Sequence, residues 1–238
     1  MTRRRWIADE VSGNRAVLAG AHAEHLANVL RARVGQEFDI VTGTGVRRGI
    51  ISNIRQGKID FELGDEIPAV AAPNLVVLLS IFKFDRMEWA IEKCTELGVS
   101  QIIPVISQRT ESHLATAATK RVERWQRIVR QASEQSRRDS APSVSLPLKL
   151  KDALALVASR RIVLEETEHG TLLKDALDSD RGGREVALAF GPEGGWTDGE
   201  QEQFRAAGWI AASLGNTILR AETAAIAAVA VAMSQLQG

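Results

Sequence analysis

Hydrophobic and polar positions follow two rhythms along the chain, and the change between them falls near residue 70. Before it, short runs alternate or cluster β-branched residues: Gln36–Val41, Val46–Ile54 and Lys58–Leu63. The turn signals Thr42-Gly43-Thr44-Gly45 and Gln56-Gly57 separate them, and one helical pattern, Ala21–Arg31, precedes them. This predicts a small, partly closed β-barrel over residues 1–70. Pro68 and Pro73 bracket an Ala-rich connector, Ala69–Ala72, which marks a domain boundary.

From residue 74 to 238 apolar strand-sized runs alternate with helical patterns. The runs are Leu75–Phe82, Ile102–Ile106, Arg161–Leu164, Val186–Phe190 and Ile210–Leu214. Such alternation predicts an α/β domain, a parallel sheet with helices on its faces. In the helix Asp85–Leu97, Asp85 is the expected cap, Glu88 stands three residues on, and Gly98 supplies a left-handed stop. Met87, Ile91, Cys94 and Leu97 share one face, which makes Cys94 a core residue. A second helix, Lys120–Ser136, turns Val122, Trp125, Val129 and Ala132 inward and Arg121, Arg124, Arg127, Arg130 and Gln135 outward. The last, Glu222–Gln237, is rich in Ala and Val, small residues that suit burial against the sheet or a second subunit.

Composition adds exclusions. With 45% hydrophobic and 25% charged residues the chain is ordinary for a folded soluble protein. No apolar run approaches the roughly 18–20 residues of a membrane span, and Arg3, Arg4 and Arg5 lead into no apolar signal core, so secretion is not expected. The single cysteine rules out an internal disulfide and a multi-cysteine metal site, and suits a reducing cytoplasm. Thirty basic and thirty acidic residues cancel, yet Lys120–Arg138 holds seven basic and two acidic residues. A local basic face of this kind binds polyanions even on a neutral molecule.

Several familiar chemistries are absent. Gly43, Gly45 and Gly49 miss the dinucleotide spacing and read as a hairpin turn; no Gly-Lys-Ser/Thr occurs, which excludes P-loop ATP hydrolysis. His22 and His25 lie three apart on the predicted helix but have no third ligand in pattern, so no metal is expected. His113 and His169 stand isolated, and no nucleophile elbow supports a hydrolase.

Two segments stand out. Gly191-Pro192-Glu193-Gly194-Gly195 follows a buried strand at its C-terminal end, where open α/β sheets place ligands. Three glycines and a proline in five residues exceed what a structural turn requires; Thr197 and Glu200 then form a capping box for the next helix. After the following strand come Leu214-Gly215-Asn216-Thr217-Ile218-Leu219-Arg220-Ala221-Glu222-Thr223-Ala224. Glu222 suits a helix N-terminus, whereas Arg220 opposes the macrodipole there and invites a functional reading.

These two segments, together with Arg86-Met87-Glu88 leading to Glu96-Leu97-Gly98-Val99, resemble the RsmE family of SAM-dependent 16S rRNA (uracil-N3)-methyltransferases of the SPOUT superfamily. Glu134-Gln135-Ser136-Arg137, and His25-Leu26 with Val29-Leu30-Arg31, are similar to it as well. The likeness runs through nearly the whole chain in family order; Thr217 stands where a basic residue is expected. It implies a PUA-like N-terminal barrel for RNA recognition and a C-terminal domain with a deep trefoil knot. It further implies a homodimer in the cytoplasm, with 16S rRNA within the small ribosomal subunit as partner, and neither metal nor membrane.

The resemblance implies S-adenosyl-L-methionine as cofactor, held by Leu164, Gly191, Pro192, Glu193, Gly194, Gly195, Leu214, Gly215, Ile218, Leu219 and Thr223. Methylating uracil N3 requires loss of its proton, which calls for a cation and an acceptor. Arg220 is the expected cation, with Glu222 or Glu193 orienting it or accepting the proton. Arg3, Arg5, Arg31, Arg33, Lys83, Arg86, Arg109, Arg127, Arg130, Arg137 and Arg138 are the candidates for RNA phosphates. The competing readings are a non-catalytic RNA-binding or ribosome-assembly protein, and a SAM enzyme acting on tRNA or a ribose 2′-OH.

Overall fold

A computed structural model describes residues 5–68, 73–136, 138, 140–155, 160–178 and 185–237. Arg3 and Arg137, two of the RNA candidates, and the connector Ala69–Ala72 lie outside the described residues. The chain separates into two compact units, Met1–Ala71 and Ala72–Gly238.

In the first unit the elements run β1 (Arg5–Ile7), β2 (Glu10–Ser12), β3 (Arg15–Ala19), α1 (Gly20–Glu24), β4 (Glu37–Val41), β5 (Val46–Arg55) and β6 (Lys58–Ile67). They form one curled six-stranded sheet in the order β1-β4-β5-β6-β3-β2. The β1–β2 segment draws the edges together: Ala8 N–H donates to Val41 O at 3.0 Å and Asp9 N–H to Val17 O at 2.9 Å. Alternating residues Leu18, Ile40, Ile51, Ile59, Phe61 and Leu63 fill the interior, with Leu26 packed among them. The three short N-terminal strands escape the periodicity because three to five residues carry too few alternations. After Glu24 the helix widens into a π turn, His25–Val29. His22 and His25, the possible metal pair, instead each place a ring 6.1 Å from the Trp6 ring.

The second unit contains β7 (Asn74–Ser80), α2 (Phe84–Leu97), β8 (Gln101–Ile106), α3 (Ser112–Ser136), β9 (Ser143–Val144), β10 (Leu148–Lys149), α4 (Leu150–Ala155), β11 (Arg160–Leu164), α5 (Leu173–Asp178), β12 (Glu185–Phe190), α6 (Asp198–Ala206), β13 (Ile210–Ala212) and α7 (Ala221–Gln237). Its sheet runs β10-β8-β7-β12-β11-β13, with β9 beside β8, and every pairing is parallel. This is an α/β fold.

The strands are apolar throughout because both faces are covered. Leu75, Val77, Leu79, Val186, Leu188 and Phe190 point to the face holding α2, α3, α5 and α7. Leu78, Ile103, Val105, Val163, Ala187 and Ala189 point to α4, α6, Trp196 and Trp209. Each fully buried Leu, Val or Ile contributes roughly 1.5–3 kcal/mol. The Ala-rich α7 is buried within the subunit, packing on α2, α5 and β12; its Ala225, Ala228, Val229 and Ala232 are fully covered.

Three local expectations change. Helix α2 starts at Phe84 with Lys83 at its N-cap and no side-chain bond there, so Asp85 lies in the first turn rather than capping. Phe84 packs edge-on to the fully buried Trp125 of α3, and that contact sets the start. Helix α3 begins at Ser112, ahead of its strongly periodic part, and β13 ends at Ala212, leaving Leu214 in the loop. Gly98 does adopt the left-handed stop, with φ of 111°.

Candidate active site

In a parallel sheet every strand delivers its following loop to the same edge. Here the loops after β11, β12 and β13 converge on a cavity of about 580 Å³. The β11 loop contributes Leu164, Glu165, Glu166 and Thr167; the β12 loop contributes Phe190 to Trp196; the β13 loop contributes Ser213, Leu214, Gly215 and Thr217 to Ala221. Gln201 of α6, Ala224 of α7, Arg86 of α2 and Arg109 from the β8–α3 connection complete the wall.

The β12 bend folds back on itself. Gly195 N–H donates to Pro192 O at 2.8 Å, and a Cβ on Gly191 would stand 3.3 Å from the Gly195 backbone. The bend ends in the expected capping box, Thr197 with Glu200. Glu200 is 1% exposed. One carboxylate oxygen accepts Thr197 N–H and its hydroxyl at 2.9 and 3.0 Å, and the other accepts Gln108 N–H at 2.7 Å. Trp196 is buried edge-on to Phe204, which stacks edge-on to Trp209, so an aromatic column anchors the bend from below.

The cavity brings together Leu164, Gly191, Pro192, Glu193, Gly194, Gly195, Leu214, Gly215, Ile218, Leu219 and Arg220. Thr223 is exposed on α7 and is not among the lining residues. Neither is Glu222. It is 4% exposed, and its Oε1 lies 3.8 Å from Arg86 Nε, while Oε2 has no hydrogen-bond partner among the described residues. Arg220 is exposed and its carbonyl accepts Ala224 N–H at 2.8 Å, placing it at the N-cap of α7. Glu193 is exposed on the cavity wall.

Glu165 is a wall residue whose carboxyl is pushed above its ordinary range, first by burial and then by the Glu168 charge, with Arg205 opposing. Glu166 and Thr167 join the wall from just past β11 without a distinctive sequence signal, and Gln201 joins it from within α6; Trp196, Ser213 and Ala224 lie in or beside the two segments that stand out in the sequence.

The basic candidates divide. Arg86 and Arg109 line the cavity. Arg109 Nη1 donates to the carbonyls of Gly194 and Trp196. On α3, Arg121 and Arg124 both meet Glu88 of α2, at 3.4 and 2.8 Å, and Arg121 lies over the Phe84 ring. Arg127, Arg130 and Lys83 are exposed. Arg138 donates to Thr95 O at the end of α2. Arg5, Arg31 and Arg33 belong to the first unit, with Arg31 at a left-handed φ of 51°.

Fold and site together are those of an RNA methyltransferase domain, the family matched by residues 71–233. The chain is 33% identical over 224 residues to the ribosomal RNA small subunit methyltransferase E of Synechocystis, covering 90% of this chain and 71% of that one. It is 31% identical over 227 residues to the protein of that name from Mycobacterium tuberculosis, covering 92% and 86% of the two chains. The crystal structure of the Neisseria gonorrhoeae ribosomal RNA small subunit methyltransferase E bound to S-adenosyl methionine superposes with a TM-score of 0.75, at 31% identity and 96% coverage of each chain. The chain belongs to the ribosomal RNA small subunit methyltransferase E family.

Proposed function

We propose that this protein methylates N3 of a specific uridine in the 16S rRNA of the small ribosomal subunit, using S-adenosyl-L-methionine. The observation that carries the reading is the convergence of both glycine-bearing bends on one cavity that also receives Arg86 and Arg220. A volume of about 580 Å³ suits a cofactor of this size. Main-chain groups of Gly191–Gly195 and Leu214–Gly215 suit the adenine edge, and Leu214, Ile218 and Leu219 suit its faces. The Glu165 and Glu166 carboxylates suit the cofactor's positive charge.

When bound, the cofactor supplies an electrophilic methyl group on a sulfonium. Uracil N3 is a weak acid, comparable to a phenol at about 10, and its in-plane lone pair becomes available only as the proton leaves. Arg220 stabilises the negative charge that develops on the base. Arg86, held from behind by the buried Glu222, adds a second cation to the same space. Glu193, the carboxylate on the wall beside the glycines, receives the proton. Glu222, covered and off the wall, acts through Arg86.

RNA phosphates are held by Lys83, Arg127 and Arg130 on the second unit and by Arg5, Arg31 and Arg33 on the first. The first unit is a PUA-like barrel, the second carries a trefoil knot, and the protein acts as a homodimer in the cytoplasm. The order β12-β11-β13, with all three following loops on one cavity, supports the knotted arrangement. Among the described residues no helix is long and apolar enough to cross a membrane.

The test is to incubate purified protein with labelled S-adenosyl-L-methionine and small ribosomal subunits from cells lacking the enzyme, then map the modified base. A single N3-methyluridine in 16S rRNA is expected. Label on tRNA, on a ribose 2′-OH, or nowhere overturns the reading.

A further inference from the structure

The arginines on the cavity wall are held in different ways. Arg220 makes no side-chain hydrogen bond to any described residue, whereas Arg109, though exposed, reaches two main-chain carbonyls of the β12 bend. Its Nη1 donates to Gly194 O and, at 3.4 Å, to Trp196 O. The N–H groups of the same two peptide units are also taken: Gly195 N–H by Pro192 O at 2.8 Å and Thr197 N–H by Glu200 at 2.9 Å. Two peptide planes are thereby fixed at both ends. The peptide between them, Gly195–Trp196, bonds to no described group and belongs to two residues of the cavity wall. The residue before Arg109 fastens the exit of the same bend, because Gln108 N–H donates to one oxygen of Glu200 while the other accepts Thr197 N–H.

A second observation is independent of these bonds. Gly194 has no left-handed φ, so its backbone alone does not require glycine. A Cβ there would stand 3.2 Å from Arg109 Cδ and 3.7 Å from its Cβ. Both belong to a side chain whose far end is tied to two carbonyls, so a Cβ here would push on those bonds as the side chain gives by a few tenths of an ångström. The room left by Gly194 is room for Arg109.

We propose that Arg109 is a positioning residue for the methyl donor: its guanidinium locks the Gly194 and Trp196 carbonyls and so fixes the main chain of the glycine bend that faces the cofactor. It acts through that bend and not through RNA phosphate. The geometry suits arginine because its planar guanidinium holds its donors in fixed directions, whereas the three donors of a lysine ammonium rotate on a flexible stem. The inference rests on the cofactor reading above.

The experiment measures calorimetric affinity for S-adenosyl-L-methionine and the salt dependence of RNA binding in the full-length wild type and in Arg109→Ala, Arg109→Lys, Gly194→Ala, Gly199→Ala and the Arg109→Ala/Gly194→Ala double variant. Arg109→Ala should weaken cofactor binding about tenfold or more and raise the cofactor KM, with the RNA KM and the slope of log affinity against log salt unchanged. Arg109→Lys should fall between. Gly194→Ala should weaken cofactor binding in the wild-type background and much less in the Arg109→Ala background. Gly199→Ala, with nothing within 4 Å of the added Cβ, should have no effect.

Cofactor affinity within about twofold of wild type in Arg109→Ala overturns the proposal, as does a salt slope reduced by about one, the mark of a lost phosphate contact. If Arg109→Ala does not fold, Gly194→Ala against Gly199→Ala decides alone, and equal cofactor affinity in the two overturns it. A wild-type protein that takes up no cofactor overturns the underlying reading and this inference with it, whereas wild-type uptake with indifferent variants overturns this inference alone.

Discussion

Replacing Glu200 by Gln keeps the shape of a side chain that is 1% exposed but breaks its hydrogen bonding. The carboxylate is acceptor-only, and donors surround it: Gln108 N–H at 2.7 Å on one oxygen, Thr197 N–H at 2.9 Å and the Thr197 hydroxyl on the other. A glutamine amide presents one oxygen and one NH2. Whichever way it turns, the NH2 faces a backbone N–H, and one buried donor is orphaned at a cost of about 1–3 kcal/mol. The Thr197 hydroxyl can rotate to suit; the backbone groups cannot. A loss of about 2 kcal/mol corresponds to roughly 4–8 °C in melting temperature for a unit of this size. Glu200→Ala, which orphans both donors, should cost up to about twice as much. Urea unfolding followed by tryptophan fluorescence is the assay, because Trp196 and Trp209 flank Phe204 of the same helix and report its loss. A Glu200→Gln variant within 0.5 kcal/mol of wild type, on the scale of an ordinary surface substitution, would falsify the view that this carboxylate pins the β8–α3 connection to the bend.

Arg220→Ala should lower the methylation rate about 10²–10³-fold while the melting temperature holds or rises, since an exposed cation at the N-cap of α7 opposes the dipole; an unchanged rate in folded protein removes Arg220 from the chemistry. Glu165 has its carboxyl raised by burial and by Glu168, so folding favours its protonated form. The stability it allows is full below the ordinary Glu value of about 4.3 and declines as pH rises through the raised one. Glu165→Gln should therefore melt higher than wild type near pH 7, with the difference closing towards pH 4; a gap independent of pH contradicts this. The single thiol, Cys94, is buried and its pKa is pushed up to about 12. It should ignore a thiol-reactive disulfide reagent in native protein at pH 8 and react fully in urea. Rapid reaction of the native chain would show α2 opening away from the core.

What could be read along the chain was whatever is encoded within a few residues. Thr197 and Glu200 stand three apart, and the capping box forms between them. Gly98 follows the last apolar position of its helix and takes the left-handed stop. Trp125 and Val129 are one turn apart and both are buried. A boundary that depends on a distant contact is not encoded locally. Asp85 looked like a cap, but Phe84 is drawn into the helix by Trp125, a residue of another helix. Ser112–Thr119 continue α3 on small, weakly patterned residues that no period identifies. The strands before residue 20 are too short to show alternation, and their pairing with β4 and β6 supplies what their own pattern lacks.

By itself the sequence determined the two rhythms, the parallel α/β sheet of the second unit and the presence of two glycine-rich bends past consecutive strands, because periodicity, caps and turns act over one to four neighbours. Only the tertiary structure decided which groups those bends meet. Strand order sets β11 between β12 and β13, so the loop after Leu164, a residue already expected at the cofactor, brings Glu166 and Thr167 to the same cavity as well. Helix packing turns Glu222 away from the cavity and towards Arg86. The β8–α3 connection lays Arg109 across the carbonyls of a bend far along the chain. Such pairings answer to burial and unsatisfied hydrogen bonds between distant segments, forces that leave no spacing in the sequence.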